Sequence, residues 1–575
     1  MNKGMIDFAM MALVIILCLN VLLVRANTDT NLFSGYELLQ VLVPTLFFLA
    51  FLSNNKKIVI LSIIISVVFS IYFPQIKYYT YWWFESDKGG HVYLVKYIIE
   101  TERIPQEMYS SGYSLWPGQF IVFVFHYLIT GISDTGFALK SYSLIYLVMF
   151  VTSILSISLT KFGKNAGLLI TIFSTLFFEI IKASLFMYNF YTLLPIFIVE
   201  VIILHSIMKH KSLSKPEIIS LLLLIIASII GTFSFTFVLF LILSTLAIIS
   251  DRKDLQILLI VFSVVLLIWN VFIAGFRAIP PFYEVLKSVL QIEFTASEMV
   301  EKISHRPFYL FIGMVSQILF VLISMTSSLI FLAMRIMACK KNIKAVAIII
   351  KNPVYTTSIL LLSLFTIYLL AFRSGMNEPY RIIIGALPLI SVTIFTVFEK
   401  IFSECQGKIE HHKRLLLVLA IISAIYSSTY LLSNAIRFNV DFCGYNPAIS
   451  VEEVAGLEYI YMFWNQDSKA ILACEGLLHA VSHLIVPPNT VTKVFGVGGV
   501  HGSESLFLFS RFFVNNSIME SAYYTISNRM LRSFPYAPGS YTLLDRARAL
   551  WWSNKKFETV NKIYDNGDLR LVFSG

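Results

Sequence analysis

Between Tyr78 and Gln119 the chain reads YYTYWWFESDKGGHVYLVKYIIETERIPQEMYSSGYSLWPGQ, and residue types able to do chemistry gather here. Glu85 and Asp87 are separated by one serine and follow four consecutive aromatics, Tyr81 to Phe84. A carboxylate at the edge of a low-dielectric region has two uses. It takes a proton as general base from an acceptor hydroxyl or amine, or it holds a divalent cation, Mg or Mn, that neutralises a phosphate leaving group. The competing reading is a solvated pair of loop acids. Lys88 follows Asp87 directly, and His91 lies four residues after it. A helix starting near Gly90 would let the carboxylate orient the imidazole; otherwise His91 is an interfacial histidine.

A second cluster is the run RSGMNEPYR, from Arg373 to Arg381. Its two arginines present planar forks suited to a phosphate or pyrophosphate. The alternative is snorkelling to ordinary phospholipid headgroups, or pairing with Glu378. Arg306, with Arg277, Lys287 and His305, is a weaker candidate of the same kind.

The elements that must position these residues are apolar helices. Hydrophobic residues make up 57% of the 575, and only 14% are charged, far below the roughly 25% of soluble domains. Mean hydropathy is +0.77. Repeated apolar runs of about 17 to 25 residues define an all-α polytopic membrane protein with about 13 transmembrane helices. The net charge of +10 is no signal for nucleic acid, because its lysines cluster in short loops between spans. With the N-terminus inside and spans alternating, one set of loops holds Lys56 and Lys57; Lys161 and Lys164; Lys209, Lys211 and Lys215; Arg252 and Lys253; Arg335 to Lys351; and Lys400 to Arg414. This bias predicts a multi-pass cell-membrane protein with a cytoplasmic N-terminus. The acidic loop, 75–119, and the arginine turn then share the outer face, where a polar segment can find water.

Residues 1–433 are expected to form the transmembrane domain, and 434–575 a small exported α+β domain. The segment Phe120–Ile129 is apolar but short and reads as a re-entrant or interfacial helix; if it spans, the parity of the downstream loops flips or a neighbouring pair of spans is miscounted. Lys96 to Arg103 continues an amphipathic stripe lying along the membrane surface. Alternation around Asn566-Gly567, within Val560 to Phe573, predicts a hairpin with a type I′ turn. Asn515 heads a glycosylation sequon. Five cysteines carry no metal-ligand spacing, and Cys443 and Cys474 are the pair able to bond outside. Few ionisable residues fall near the middle of a span, which disfavours a coupled transporter.

The acidic triplet, the following amphipathic stretch, the Tyr113 to Gly118 return, the many spans and the exported C-terminal region together resemble the GT-C superfamily of membrane glycosyltransferases. That group includes protein O-mannosyltransferases, aminoarabinose transferases and oligosaccharyltransferase catalytic subunits. DKGGH, IIETERIP and SGYSLWP look most like archaeal-type members. The resemblance implies a polyprenyl- or dolichyl-phosphate-linked sugar donor, an inverting transfer at the outer face, and a loop carboxylate as base, Asp87 ahead of Glu85. It implies donor or acceptor contacts from Lys88, His91 and Tyr113, and phosphate contacts from Arg373, Arg381 or Arg306. The acceptor would be a glycan, lipid or protein. Two spans precede the one leading into the acidic loop, and there is no WWDYG-like motif, so single-sugar transfer is expected over en bloc transfer. A lipid-linked saccharide flippase or polysaccharide exporter is the alternative; it needs a polar path across the bundle. A membrane scaffold with an exported binding domain is the third reading, and there Asp87, Arg373 and Arg381 would tolerate substitution.

Overall fold

The computed structural model describes residues 3–26, 36–78, 82–83, 117–131, 135–177, 187–273, 352–373, 380–405, 408–437, 448–449, 522–527, 561–565 and 569–574, with short pieces within 95–104, 326–333 and at 455. It is a bundle of apolar helices. In chain order these are α1 (Lys3–Ala26), α2 (Tyr36–Leu52), α3 (Lys56–Tyr78), α4 (Gly118–Thr130), α5 (Thr135–Thr175), α6 (Met187–Met208), α7 (Lys215–Gly231), α8 (Phe233–Ser250), α9 (Lys253–Ile268), α10 (Pro353–Arg373), α11 (Tyr380–Gly385), α12 (Leu387–Cys405) and α13 (Lys408–Arg437). Five stretches have the length and hydropathy to cross a membrane: Gly4–Leu22, Lys56–Phe73, Tyr142–Thr175, Lys253–Phe272 and Lys413–Leu432. Shorter apolar helices, among them Leu38–Leu52, Thr192–Met208 and Phe235–Ser250, pack between them. The run Phe308–Met334, expected as a span, lies almost wholly outside the described residues.

α5 is two helices joined at a corner. Gly163 has φ 79° and ψ −177°, a conformation only glycine adopts without strain. The two arms then close tightly. A Cβ on Gly167 would sit 2.8 Å from the Leu159 nitrogen, so no larger residue fits without moving backbone. This corner lies between Lys161 and Lys164, where the charge pattern ends one span and begins another.

The lysine-bearing corners meet on one face. Ser53 Oγ donates to Asp7 Oδ1 at 2.5 Å. Lys164 Nζ donates to the Phe51 carbonyl at 2.8 Å and also to the Ser53 carbonyl. Lys161 Nζ pairs with Glu217 Oε1 at 2.9 Å. Arg252 pairs with Asp254 and donates to Ser206 Oγ at 2.7 Å and the Lys211 carbonyl at 2.9 Å. These bonds join the starts of α1, α7 and α9 to the ends of α2, α6 and α8. These helix ends and the α5 corner therefore share one face of the bundle. α7 opens with a capping box, in which the Ser214 N–H donates to Glu217 Oε2 at 2.9 Å and Ser214 Oγ accepts from the Glu217 N–H at 3.4 Å. The Ser214 N–H, and then Lys161, hold the Glu217 carboxyl down to about 2.

α4 is short. Its 13 residues span about 20 Å at a 1.5 Å rise, short of a hydrocarbon core of about 30 Å. Phe120 and Phe123 are buried, while Phe125, Leu128 and Ile129 are exposed, as for a helix half embedded in the interface.

α13 lies along α2 and also packs on the second arm of α5, where Tyr426 stacks on Phe173 at 4.0 Å between ring centroids. Beyond α13 the described residues form strands. β1 (Trp82–Trp83) pairs antiparallel with β2 (Ala448–Ile449). β3 (Ala522–Ser527), β5 (Leu569–Ser574) and β4 (Asn561–Asp565) form an antiparallel sheet in the order β3-β5-β4. The expected terminal hairpin is present as β4–β5. Its register differs from the expectation: Asp565 pairs with Arg570, not with Asp568, and a shift lies between Lys562 and Tyr564. A two-residue type I′ turn on Asn566-Gly567 needs the Asp565–Asp568 pairing. The connection is longer, and the irregularity in β4 absorbs the offset.

Candidate functional site

Two polar stations stand at the face opposite the basic corners. The first is the root of the acidic loop. Trp82 pairs with Ile449 and Trp83 with Ala448, shortly past the far end of α3 and two residues before Glu85. This strand pair fixes one end of the loop against the chain that follows α13. Glu85, Asp87, Lys88, His91 and Tyr113 lie outside the described residues, as do Arg306, Cys443, Cys474 and Asn515. The stripe expected over Lys96 to Arg103 is described only in part: Tyr97 to Ile99 and Thr101 are helical, and Glu102 has φ 55° and ends the turn.

The second station is Arg381, in the first turn of α11. Its guanidinium lies over the Phe235 ring, 5.8 Å from the centroid, near the start of α8. α7 starts on the basic face at Glu217, so the Gly231–Phe235 corner that receives Arg381 is at the opposite face. Arg381 is half-buried. Arg373 is the last residue of α10, with its side chain outside the described set. α11 packs on α8, α10 and α6. A Cβ built on Gly385 would lie 3.1 Å from Val238, so α11 and α8 touch almost backbone to side chain. The sequence placed Arg381 and the acidic loop on a common face; the flanking elements put Arg381 and the Trp82–Trp83 root there together.

One residue escaped the sequence reading. Glu200, close to the midpoint of the 22-residue α6, is fully buried, and neither carboxyl oxygen meets hydrogen-bond geometry with a partner. The signal was a lone acid inside FIVEVIILH. Among the described residues no three His, Cys, Asp or Glu side chains gather as a metal site; Glu85 and Asp87, the expected cation ligands, are not among them.

No protein-family model and no curated protein sequence matches the chain. Solved structures do. The overlap runs over most of the chain at low sequence identity. One is the oligosaccharyltransferase AglB of Archaeoglobus fulgidus, solved with an inhibitory peptide and a dolichol-phosphate: identity 13%, TM-score 0.49, covering 85% of this chain and 72% of that one. Another is ArnT from Cupriavidus metallidurans in the apo state: identity 11%, TM-score 0.46, covering 91% of this chain and 99% of that one. ArnT bound to undecaprenyl phosphate matches at 11% identity and TM-score 0.45, with the same coverage. The likeness is one of overall helical course and assigns no residue a role.

Proposed function

We propose that the chain is a membrane glycosyltransferase that moves a sugar from a polyprenyl- or dolichyl-phosphate-linked donor to a glycan, lipid or protein acceptor at the extracytoplasmic face. Its N-terminus is cytoplasmic and the region after residue 433 extracytoplasmic, following the lysine bias of the joined corners. The observation that carries the reading is the sharing of one face by Arg381 and the Trp82–Trp83 root of the acidic loop. One face then offers a carboxylate for the acceptor and a guanidinium for the donor's phosphate.

In the reaction Asp87, or Glu85 beside it, accepts the proton of the acceptor hydroxyl or amine. The acceptor atom attacks the anomeric carbon, and the bond from that carbon to the phosphate oxygen breaks with inversion. The lipid phosphate leaves with one more negative charge. Arg381 and Arg373, with Arg306 as a further cation, stabilise that charge, and donors preset for the leaving group contribute a large share of such catalysis. Lys88, His91 and Tyr113 contact the sugar or the acceptor. A Mg or Mn ion held by Glu85 and Asp87 would supply further charge neutralisation. The flippase reading fits less well: a transport path needs wetted ionisable groups, and Glu200, the one acid near mid-span among the described residues, is 0% exposed.

The test is Asp87→Asn, assayed for sugar transfer from a lipid-phosphate donor in proteoliposomes. A loss of about a hundredfold or more is expected for removal of a general base. Full activity at unchanged expression would remove Asp87 from that role.

A further inference from the structure

α9 does not finish as it begins. After Ile268 it widens into a π turn, Trp269–Ile273, a form that is rare and gathers at functional sites. The turn lies toward the face opposite the basic corners, since α9 starts beside them and Lys253–Phe272 has the length of a span. Asn270 is the polar residue in it. Its Nδ2 donates to the Leu266 carbonyl at 2.8 Å, one turn back. That bond fixes the amide and leaves its oxygen for another group. Oδ1 is buried and meets no hydrogen-bond partner.

A second such atom stands at the same level. Thr232, at the corner between α7 and α8, is 1% exposed, and its Oγ1 meets no partner. Its backbone is extended, with φ −152° and ψ 143°. The Thr232 N–H donates to the Ser228 carbonyl at 3.3 Å, and its carbonyl accepts from Thr236 Oγ1 at 2.6 Å, so only the side chain is unmet. α9 packs on both α7 and α8. Phe240 of α8 meets Phe262 of α9 edge to face at 5.5 Å between centroids, which sets the register of this antiparallel pair. Thr232 precedes Phe240 by the same number of residues as Asn270 follows Phe262. Each therefore lies about 12 Å farther toward the same face, at a 1.5 Å rise. Phe235, which carries Arg381, follows Thr232 by one turn.

A buried polar atom left unmet costs free energy, and here two of them lie at one level on neighbouring elements. Oδ1 needs a donor; the threonine hydroxyl gives or takes a hydrogen bond. One hydroxyl group answers both. We infer that Thr232 and Asn270 form a subsite for a hydroxyl of the donor's sugar, beside the phosphate contact at Arg381. The inference rests on the transferase reading and adds the part of the donor that is recognised. A sugar without that hydroxyl would leave both atoms unmet, which discriminates more strongly than apolar contact does. An ordered water is the other source of the same chemistry.

The experiment measures, for the purified full chain in lipid nanodiscs, the Kd of bare dolichyl phosphate and of dolichyl phosphate carrying glucose, mannose or galactose, with the thermal midpoint of each variant. The parent should bind at least one sugar-bearing lipid more tightly than the bare one. Thr232→Val, which keeps the shape and loses the hydroxyl, and Asn270→Ala should each weaken that lipid by about tenfold and leave the bare lipid unchanged. Thr232→Ser should bind as the parent does. Thr232→Val should also keep the parent's thermal midpoint, because the hydroxyl it removes has no partner in the unliganded chain. Unchanged affinity of both variants for the sugar-bearing lipid means that water alone fills the place and overturns the inference. An equal loss for bare and sugar-bearing lipid overturns it too, as does a parent that gains nothing from any of the three sugars. If Asn270→Ala does not fold, Thr232→Val decides alone. Arg381→Ala separates the two levels. If it binds bare dolichyl phosphate as the parent does, the donor-site reading itself fails. If it binds the bare lipid weakly while Thr232→Val and Asn270→Ala bind the sugar-bearing lipid normally, only the subsite falls.

Discussion

The two faces of the bundle are built to opposite rules. On the basic face the corners are tight and satisfied. Residues 53–55 join α2 to α3, Gly163 alone turns α5, and Asp251 and Arg252 join α8 to α9. Several charges described there have a local partner: Asp7 with Ser53, Lys161 with Glu217, Arg252 with Asp254. At the opposite face the chain spends its length. Residues 79–117 separate α3 from α4, and everything after Arg437 follows the last helix. There Arg381 lies over the Phe235 ring.

Substitutions can break or sharpen this contrast. The largest effect is expected at the open face, from Asp87→Asn in the transfer assay already described. Next, Arg381→Lys keeps the charge but loses the planar fork, and lipid-phosphate affinity should fall by about 5- to 20-fold, measured by titration in nanodiscs. Crossing to the basic face, Gly167→Ala forces backbone apart at the α5 corner. It should cost about 2–3 kcal/mol of stability, read as a lower denaturation midpoint, with unchanged lipid-phosphate affinity in the folded fraction. Ser214→Ala removes the α7 cap and should cost about 1 kcal/mol. The smallest effect is titration of Glu217. Its folded pKa, about 2, is depressed below the ordinary value. Its stabilisation is therefore present above about pH 4.5 and is lost as pH falls toward 2. The side chain is 33% exposed, so the loss should stay below about 1 kcal/mol. A Glu217→Gln variant should show a flatter acid limb in a stability–pH profile.

The basic face was the more legible from sequence. Lys161 and Lys164 bracket the Gly163 corner because positive charge marks where a span must stop. Away from that face, the β4–β5 hairpin was legible because it is a short-range pattern. The site was legible only by type. Asp87 and Arg381 announce chemistry by being polar among apolar neighbours, but Trp82-Trp83 meeting Ala448-Ile449 is a pairing across most of the chain, which no periodicity encodes. Glu200 was passed over for the converse reason. One acid in a long apolar run scarcely changes hydropathy, and its full burial appears only in the folded bundle. The hairpin register was missed because a shift inside β4, not the Asn-Gly pair, sets the length of the connection.

The short ladder between Trp82–Trp83 and Ala448–Ile449 has a consequence for biosynthesis. The acidic loop is translated early, yet its docking strand is made only after α13 has been inserted. Throughout that interval the loop waits with its anchor missing. The enzyme proposed here would thus be born inactive and switched on by its own late segment, so that a ribosome stalled short of residue 449 leaves a membrane-inserted chain with no assembled catalytic face.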